Sequence, residues 1–71
     1  MNAIKLQDMI FPKYQEFVEH NGHCPNTLLV GRDLSFQISL LLHTARPVYA
    51  GMDVVCCESL APNDFKLGVL L

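Results

Sequence analysis

Two histidines and a cysteine, His20, His23 and Cys24, lie close together in the stretch EHNGHC. Imidazole and thiolate groups are the ligands that zinc prefers, and a structural zinc site needs four of them, usually as two closely spaced pairs. Cys56 or Cys57, later in the chain, would complete such a set. A metal- or thiol-based module built from these residues is therefore one hypothesis for the protein.

The spacing of these ligands favours a simpler interpretation. Gly22 turns the chain between His20 and His23, and the sequence neighbours His23 and Cys24 seldom reach one ion together. We expect His20 to lie in the last turn of a helix, where a basic residue complements the helix dipole. Cys24 is then a small loop residue, and neither a metal nor any other cofactor is predicted.

The adjacent thiols of Cys56 and Cys57 are poorly placed for a disulfide. Consecutive Cα atoms are about 3.8 Å apart, below the usual minimum of about 4.4 Å for an unstrained disulfide. The chain has three cysteines, an odd number, so we expect free thiols. A nucleophile made from Cys24 with His23 or His43 has no recognised local signature, and the sequence favours a protein that is not an enzyme.

A second polar alternative lies in LLVGRD, where a predicted strand passes through Gly31 into a helix. Helix N-termini attract anions, and Arg32 adds a cation, so the Gly31-Arg32-Asp33 turn is a candidate small-anion or ligand site. Asp33 would repel an anion, and one glycine is far short of a phosphate-binding loop. A tight strand-to-helix turn is the simpler explanation.

Composition points to association. The 71 residues are 51% hydrophobic and 17% charged, whereas a chain of this size buries only about 60% of the surface of its unfolded form. Large exposed apolar patches usually mark interfaces, so we expect a homo-oligomer, most simply a dimer, with a further protein partner as an additional option. The net charge of −2 and the scattered basic residues exclude nucleic acid.

The sequence has no apolar run of about 18 residues, the length that indicates a membrane span, and no membrane partner is predicted. MNAIKLQDMIF lacks the features of a signal peptide. Together with the odd number of cysteines, these features predict a cytoplasmic protein with reduced thiols.

Hydrophobic periodicity predicts an α+β fold in a single domain over residues 1–71. A first helix should begin between Asp8 and Pro12, because proline is tolerated only in a first turn, and should end at Gly22. Residues 27–31 read as a buried strand. Residues 33–45 fit both a helical stripe and strand alternation, and their uninterrupted length favours a helix capped by Asp33.

Two further strands complete the predicted sheet. One runs from about Met52 to Glu58, with an earlier start at Tyr49 as the alternative, and FKLGVLL alternates apolar residues on one face. We expect these two to pair as a hairpin. The order α-β-α-β-β predicts a small mixed sheet of about three strands, with both helices on one face and a parallel strand–helix–strand unit.

The apolar C-terminal strand is the predicted means of association. If it lies at an edge, its unpaired backbone groups are a template for another chain, and Lys66 is the only charged residue after Asp64. The interface candidates are Tyr49, Met52, Leu67, Val69 and Leu71. The functional prediction is therefore a small self-associating or protein-interaction domain.

Overall fold

The computed structural model describes residues 2–69. Two helices and four strands follow one another as α1 (Ala3–Asn21), β1 (Thr27–Val30), α2 (Arg32–Leu42), β2 (Val48–Tyr49), β3 (Met52–Cys56) and β4 (Phe65–Gly68). The class is α+β, as predicted, and α2 confirms the helical interpretation of the ambiguous segment. The sheet has four strands rather than about three, because β2 and β3 are separate strands.

A tight turn separates β2 from β3. Ala50 and Gly51 have positive φ angles of 50° and 77°, and the two strands pair antiparallel with Tyr49 opposite Met52. Two consecutive residues with positive φ form the two-residue turn that matches the twist of a hairpin. The sequence left open an earlier start of this strand at Tyr49, but the chain reverses completely between Tyr49 and Met52.

The sheet order is β2-β3-β1-β4. β1 and β3 are parallel neighbours, as expected for strands joined by a helix. The predicted hairpin between β3 and the last strand is wrong, because β4 pairs antiparallel with β1 instead. The reason is that β3 already has β2 on one side and β1 on the other, so the open side of β1 is where β4 fits.

The first helix begins earlier than predicted. It starts at Ala3, and Asn2 is its cap, with the Asn2 side chain accepting a hydrogen bond from the Lys5 N–H at 2.8 Å. Pro12 therefore lies inside the helix. It lacks the N–H that would bond to the Asp8 carbonyl, but both residues are exposed, so water can replace that bond. The predicted end is confirmed, since Gly22 caps the helix with φ 71°.

One cluster of buried side chains holds the layers together. The register places Leu28 beside Val54 and Leu67 in one row across the sheet, and Val30, two residues on, points to the same side. Both helices pack on this face, which gives a two-layer arrangement. The fully buried members of the cluster are Leu6, Ile10, Leu28, Val30, Leu34, Ile38 and Met52.

Candidate functional site

The histidines and cysteines of EHNGHC do not converge. The Nδ1 atom of His20 lies 3.0 Å from the Glu16 carbonyl, one turn back in α1. The ring of His23 packs edge-on against Phe17, with 5.8 Å between ring centroids. Within residues 2–69 the structure contains no group of three or more His, Cys, Asp or Glu side chains that could hold a metal ion.

Cys24 contacts a tyrosine instead of a metal-binding partner. A side-chain hydrogen bond between Cys24 and Tyr14 raises the pKa of the Tyr14 phenol, and partial burial adds to the shift. Tyr14 also packs against the core. Cys24 therefore lies near the middle of α1.

The other two cysteines lie at the end of β3, and all three thiols are free, as predicted. The Cys57 sulfur is 3.0 Å from the Ser59 hydroxyl. Hydrogen bonds from the side chain and backbone of Ser59 lower the pKa of the Cys57 thiol. Cys56 is exposed.

The Gly31 turn is covered by backbone. The loop between β3 and β4 crosses it, so that the Asp64 carbonyl accepts the Gly31 N–H at 2.9 Å and the Pro62 carbonyl accepts the Leu34 N–H at 2.9 Å. The position that an anion would take at the Leu34 N–H is thus filled by a carbonyl of the protein itself. The helix begins at Arg32 and its cap is Gly31, not Asp33 as predicted.

The interface candidates fall into different environments. Met52 is fully buried in the core, so in this fold its side chain has no free surface to offer a partner. Tyr49 and Leu67 are half-buried and pack against the core. Val69 is 39% exposed, and Leu71 lies outside the described residues.

The last strand, β4, is the edge of the sheet formed by the described residues. In an antiparallel ladder, alternate residues turn both their N–H and C=O groups towards the partner strand. The hydrogen bond from the Gly31 N–H to the Asp64 carbonyl shows which of the alternate residues of β4 face β1. Asp64, Lys66 and Gly68 therefore face β1, whereas the backbone groups of Phe65 and Leu67 point away from the sheet. The Phe65 N–H donates to the Asp64 carboxylate at 2.9 Å.

A groove runs beside this edge, between β4 and the C-terminal half of α1. Its volume is about 390 Å³. Phe17, Phe65 and Leu67 supply apolar surface, while Lys13 and Glu16 are among its charged residues. Sequence reasoning did not identify the α1 wall, because the pairing of β4 with β1, which brings the strand to this helix, was not foreseen. Phe65 could have been found, since it alternates with Leu67 and Val69.

A second groove lies near the opposite edge, where α1 meets the β2–β3 turn. It has a volume of about 450 Å³, and Phe11, Tyr14 and Tyr49 are among the residues that line it. Burial raises the pKa of the Tyr49 phenol. Tyr49 packs against the core here and lines the groove with part of its side chain.

Comparisons with known proteins add no assignment: no family model, curated protein or solved structure matches the chain. Among the described residues, neither helix combines the length and apolar character needed to cross a membrane.

Proposed function

We propose that this protein is an association domain that forms a two-fold dimer by adding the β4 strand of a second copy to its own β4 edge. The observation that carries the proposal is the position of β4 at the end of the sheet, with the backbone groups of Phe65 and Leu67 pointing outwards. Such groups are a template for another strand. The Phe65 N–H, which donates to the Asp64 carboxylate at 2.9 Å in the single chain, exchanges that bond for one to the added strand. Pairing the outward groups extends the sheet across the dimer axis.

The side chains along β4 support a second copy as the strand that is added. On the helix side of the sheet, β4 presents Phe65 and Leu67, both half-buried, followed by the partly exposed Val69. An added strand must continue this apolar row, because it lies over the same groove. A second copy brings the same three side chains, two from β4 and one directly after it, so the surface is complementary to itself, as a two-fold interface requires.

The charges around the groove support the same occupant. Lys13 and Lys66 lie beside Glu16 and Asp64, and Lys13 forms a weak surface ion pair with Glu16 at 3.8 Å. A surface that carries both signs can face its own copy without net repulsion. A strongly acidic or strongly basic peptide would find no matching field here.

The apolar surface outside the core agrees with an associating protein. Large apolar side chains remain exposed on both helices and on the sheet. They are Ile4, Phe11, Phe36, Leu40, Val48, Val55 and Val69. Single exposed apolar residues are ordinary, but so many on 71 residues leave surface that a partner would cover.

The two edges provide a matched pair of variants for the test. Val69 directly follows β4 and is 39% exposed, whereas Val48 lies in β2 at the opposite edge and is 58% exposed. We expect Val69→Lys to weaken the dimer at least tenfold, since a charged side chain would replace an apolar one in the row that the second copy covers. Val48→Lys should leave the dissociation constant unchanged.

Sedimentation equilibrium over a range of protein concentrations measures the dimer dissociation constant of each variant, and circular dichroism verifies that each variant is folded. Native mass spectrometry of protein purified under reducing conditions without chelator gives the mass of the native chain. A dimer of bare chains agrees with the proposal. A monomer at every concentration contradicts it, and so does a dimer that Val48→Lys weakens but Val69→Lys does not.

A further inference from the structure

We infer that the dimer has one specific register, in which Leu67 faces Leu67 of the second copy across the two-fold axis. This inference rests on the proposed function and adds the geometry of the interface. Two copies of a short strand can pair in more than one register, and the residues on the open face of the sheet distinguish these registers.

The backbone phase limits the choice. Only residues whose N–H and C=O groups point outwards can form the hydrogen-bonded pairs of a new antiparallel ladder. In β4 these are Phe65 and Leu67, and Val69, directly after the strand, is the next residue in the same alternation. A two-fold axis can therefore pass through Leu67, which pairs Phe65 with the partner's Val69, or through Lys66, which pairs Phe65 with the partner's Leu67.

Electrostatics separates the two registers. With the axis at Lys66, the two Lys66 residues form a non-hydrogen-bonded pair, the kind in which Cα atoms come within about 4.5 Å. Like charges directly opposite each other destabilise a sheet. With the axis at Leu67, each Lys66 lies opposite the partner's Gly68, which has no side chain, so this direct repulsion is absent.

Hydrogen bonding and packing favour the same register. In both registers the Phe65 N–H exchanges its bond to the Asp64 carboxylate for one to the partner. An axis at Leu67 also pairs the backbone groups of Leu67 and Val69, whereas an axis at Lys66 leaves those of Val69 without a partner in β4. The axis at Leu67 also places the large Phe65 side chain beside a smaller one, Val69 of the partner subunit, on the helix side of the sheet. A large residue opposite a smaller one fills such a layer with less crowding than two large ones.

Gly68 allows a direct test, because a Cβ added there meets nothing within 4 Å. In the Leu67 register, Gly68→Asp places a carboxylate opposite the partner's Lys66 on both sides of the axis. Opposite charges in such cross-strand pairs are favourable, and the dissociation constant should fall by roughly fivefold at low salt. High salt should remove most of the gain. Gly68→Asn, nearly the same shape without the charge, is the matched control and should show no comparable gain.

The alternative register predicts the opposite result. With the axis at Lys66, residue 68 faces the partner's Asp64, so Gly68→Asp should weaken the dimer. Lys66→Ala is a second, independent variant: it should tighten a dimer whose axis passes through Lys66, by removing the repulsion, and leave the Leu67 register nearly unchanged. All constants are measured by sedimentation equilibrium at two salt concentrations, after circular dichroism has verified folding.

The outcomes distinguish the register from the proposed function. A dimer that Gly68→Asp tightens relative to Gly68→Asn, and that Lys66→Ala does not tighten, supports the inference. If the native chain dimerises but Gly68→Asp weakens the dimer or matches Gly68→Asn, the register is overturned while association through β4 stands. If the native chain stays monomeric, the proposed function fails and the register fails with it.

Discussion

The two edges of the sheet differ in ways that bear on association. β2 has only 2 residues and is bounded by Pro47, which has no N–H, and by the turn at Ala50 and Gly51. Its Tyr49 side chain is turned inwards to the core. β4 is longer and presents an apolar row along its length. Short edge strands and flanking prolines are common protections against unwanted pairing, and only the β2 edge has both.

The two edges are also held in place by different means, as two glycines illustrate. At Gly31 a Cβ would collide with the backbone of Ala61 and Pro62, although φ is an ordinary −70°. At Gly51 a Cβ would meet nothing within 4 Å, but φ is 77°. The loop that leads to β4 depends on close packing of backbones, whereas the β2 hairpin depends on a torsion angle.

The largest effect is expected from Gly31→Ala. The added methyl group must displace the Ala61–Pro62 backbone, and with it the hydrogen bonds from Gly31 and Leu34 to the loop. Overpacking against backbone costs about 3 kcal/mol, a large part of the stability of so small a domain. Urea unfolding followed by circular dichroism measures the loss.

Gly51→Ala is the matched variant at the other edge. It should cost only about 1 kcal/mol, the typical penalty for placing a side chain in the left-handed region. If Gly31→Ala proves no more damaging than Gly51→Ala, the loop moves freely and the contrast between packing and torsion fails.

A smaller effect, of opposite sign, is expected at the neighbouring position. Ala50 has φ 50°, a conformation that asparagine tolerates better than alanine, and Asn-Gly is the preferred pair in this kind of turn. Ala50→Asn should therefore raise the free energy of unfolding by about 0.5 kcal/mol. The dimer dissociation constant should not change, because the turn lies away from β4. A destabilised Ala50→Asn variant in urea unfolding would contradict the assigned turn.

The local elements were largely readable from the sequence, because each has its own signal. Helical spacing of Leu34 and Ile38 favoured a helix in α2, and both residues are buried. The TLLV segment reads as a buried strand, and β1 is central in the sheet. The start of α1 was missed because Pro12 was expected to lie near a helix end, whereas an exposed helix can replace one lost hydrogen bond with water.

Strand pairing and the candidate site were less predictable, because they depend on contacts distant in sequence. Nothing local to FKLG indicates pairing with β1 rather than β3. That pairing follows from the tight turn at Ala50 and Gly51, which gives β3 another neighbour. Because the pairing of β4 with β1 was not predicted, the groove beside Phe17 was not predicted either. Apolar alternation did identify the surface residues of β4, and it placed Met52 among the interface candidates without distinguishing exposed from buried positions.

The smallest expected effect tests whether the β2 edge is closed. Burial raises the pKa of Tyr49 above its usual value of 10.0, which means that folding favours the neutral phenol. The stability that this neutral form contributes is complete below pH 10.0 and is lost as pH rises through the raised pKa. Tyr49→Phe cannot ionise there, so it should lose less stability than the native chain as pH increases past 10.0.

The comparison between these two proteins isolates Tyr49, because Tyr14, the lysines and the cysteines titrate in both. Urea unfolding on either side of pH 10.0 gives the four free energies needed. The difference should be small, since Tyr49 is only half-buried. Equal losses in the native chain and Tyr49→Phe would mean that this phenol is solvated and that the β2 edge is as open as the β4 edge. In that case, protection of the β2 edge could not explain why a second copy pairs with β4 in preference to β2.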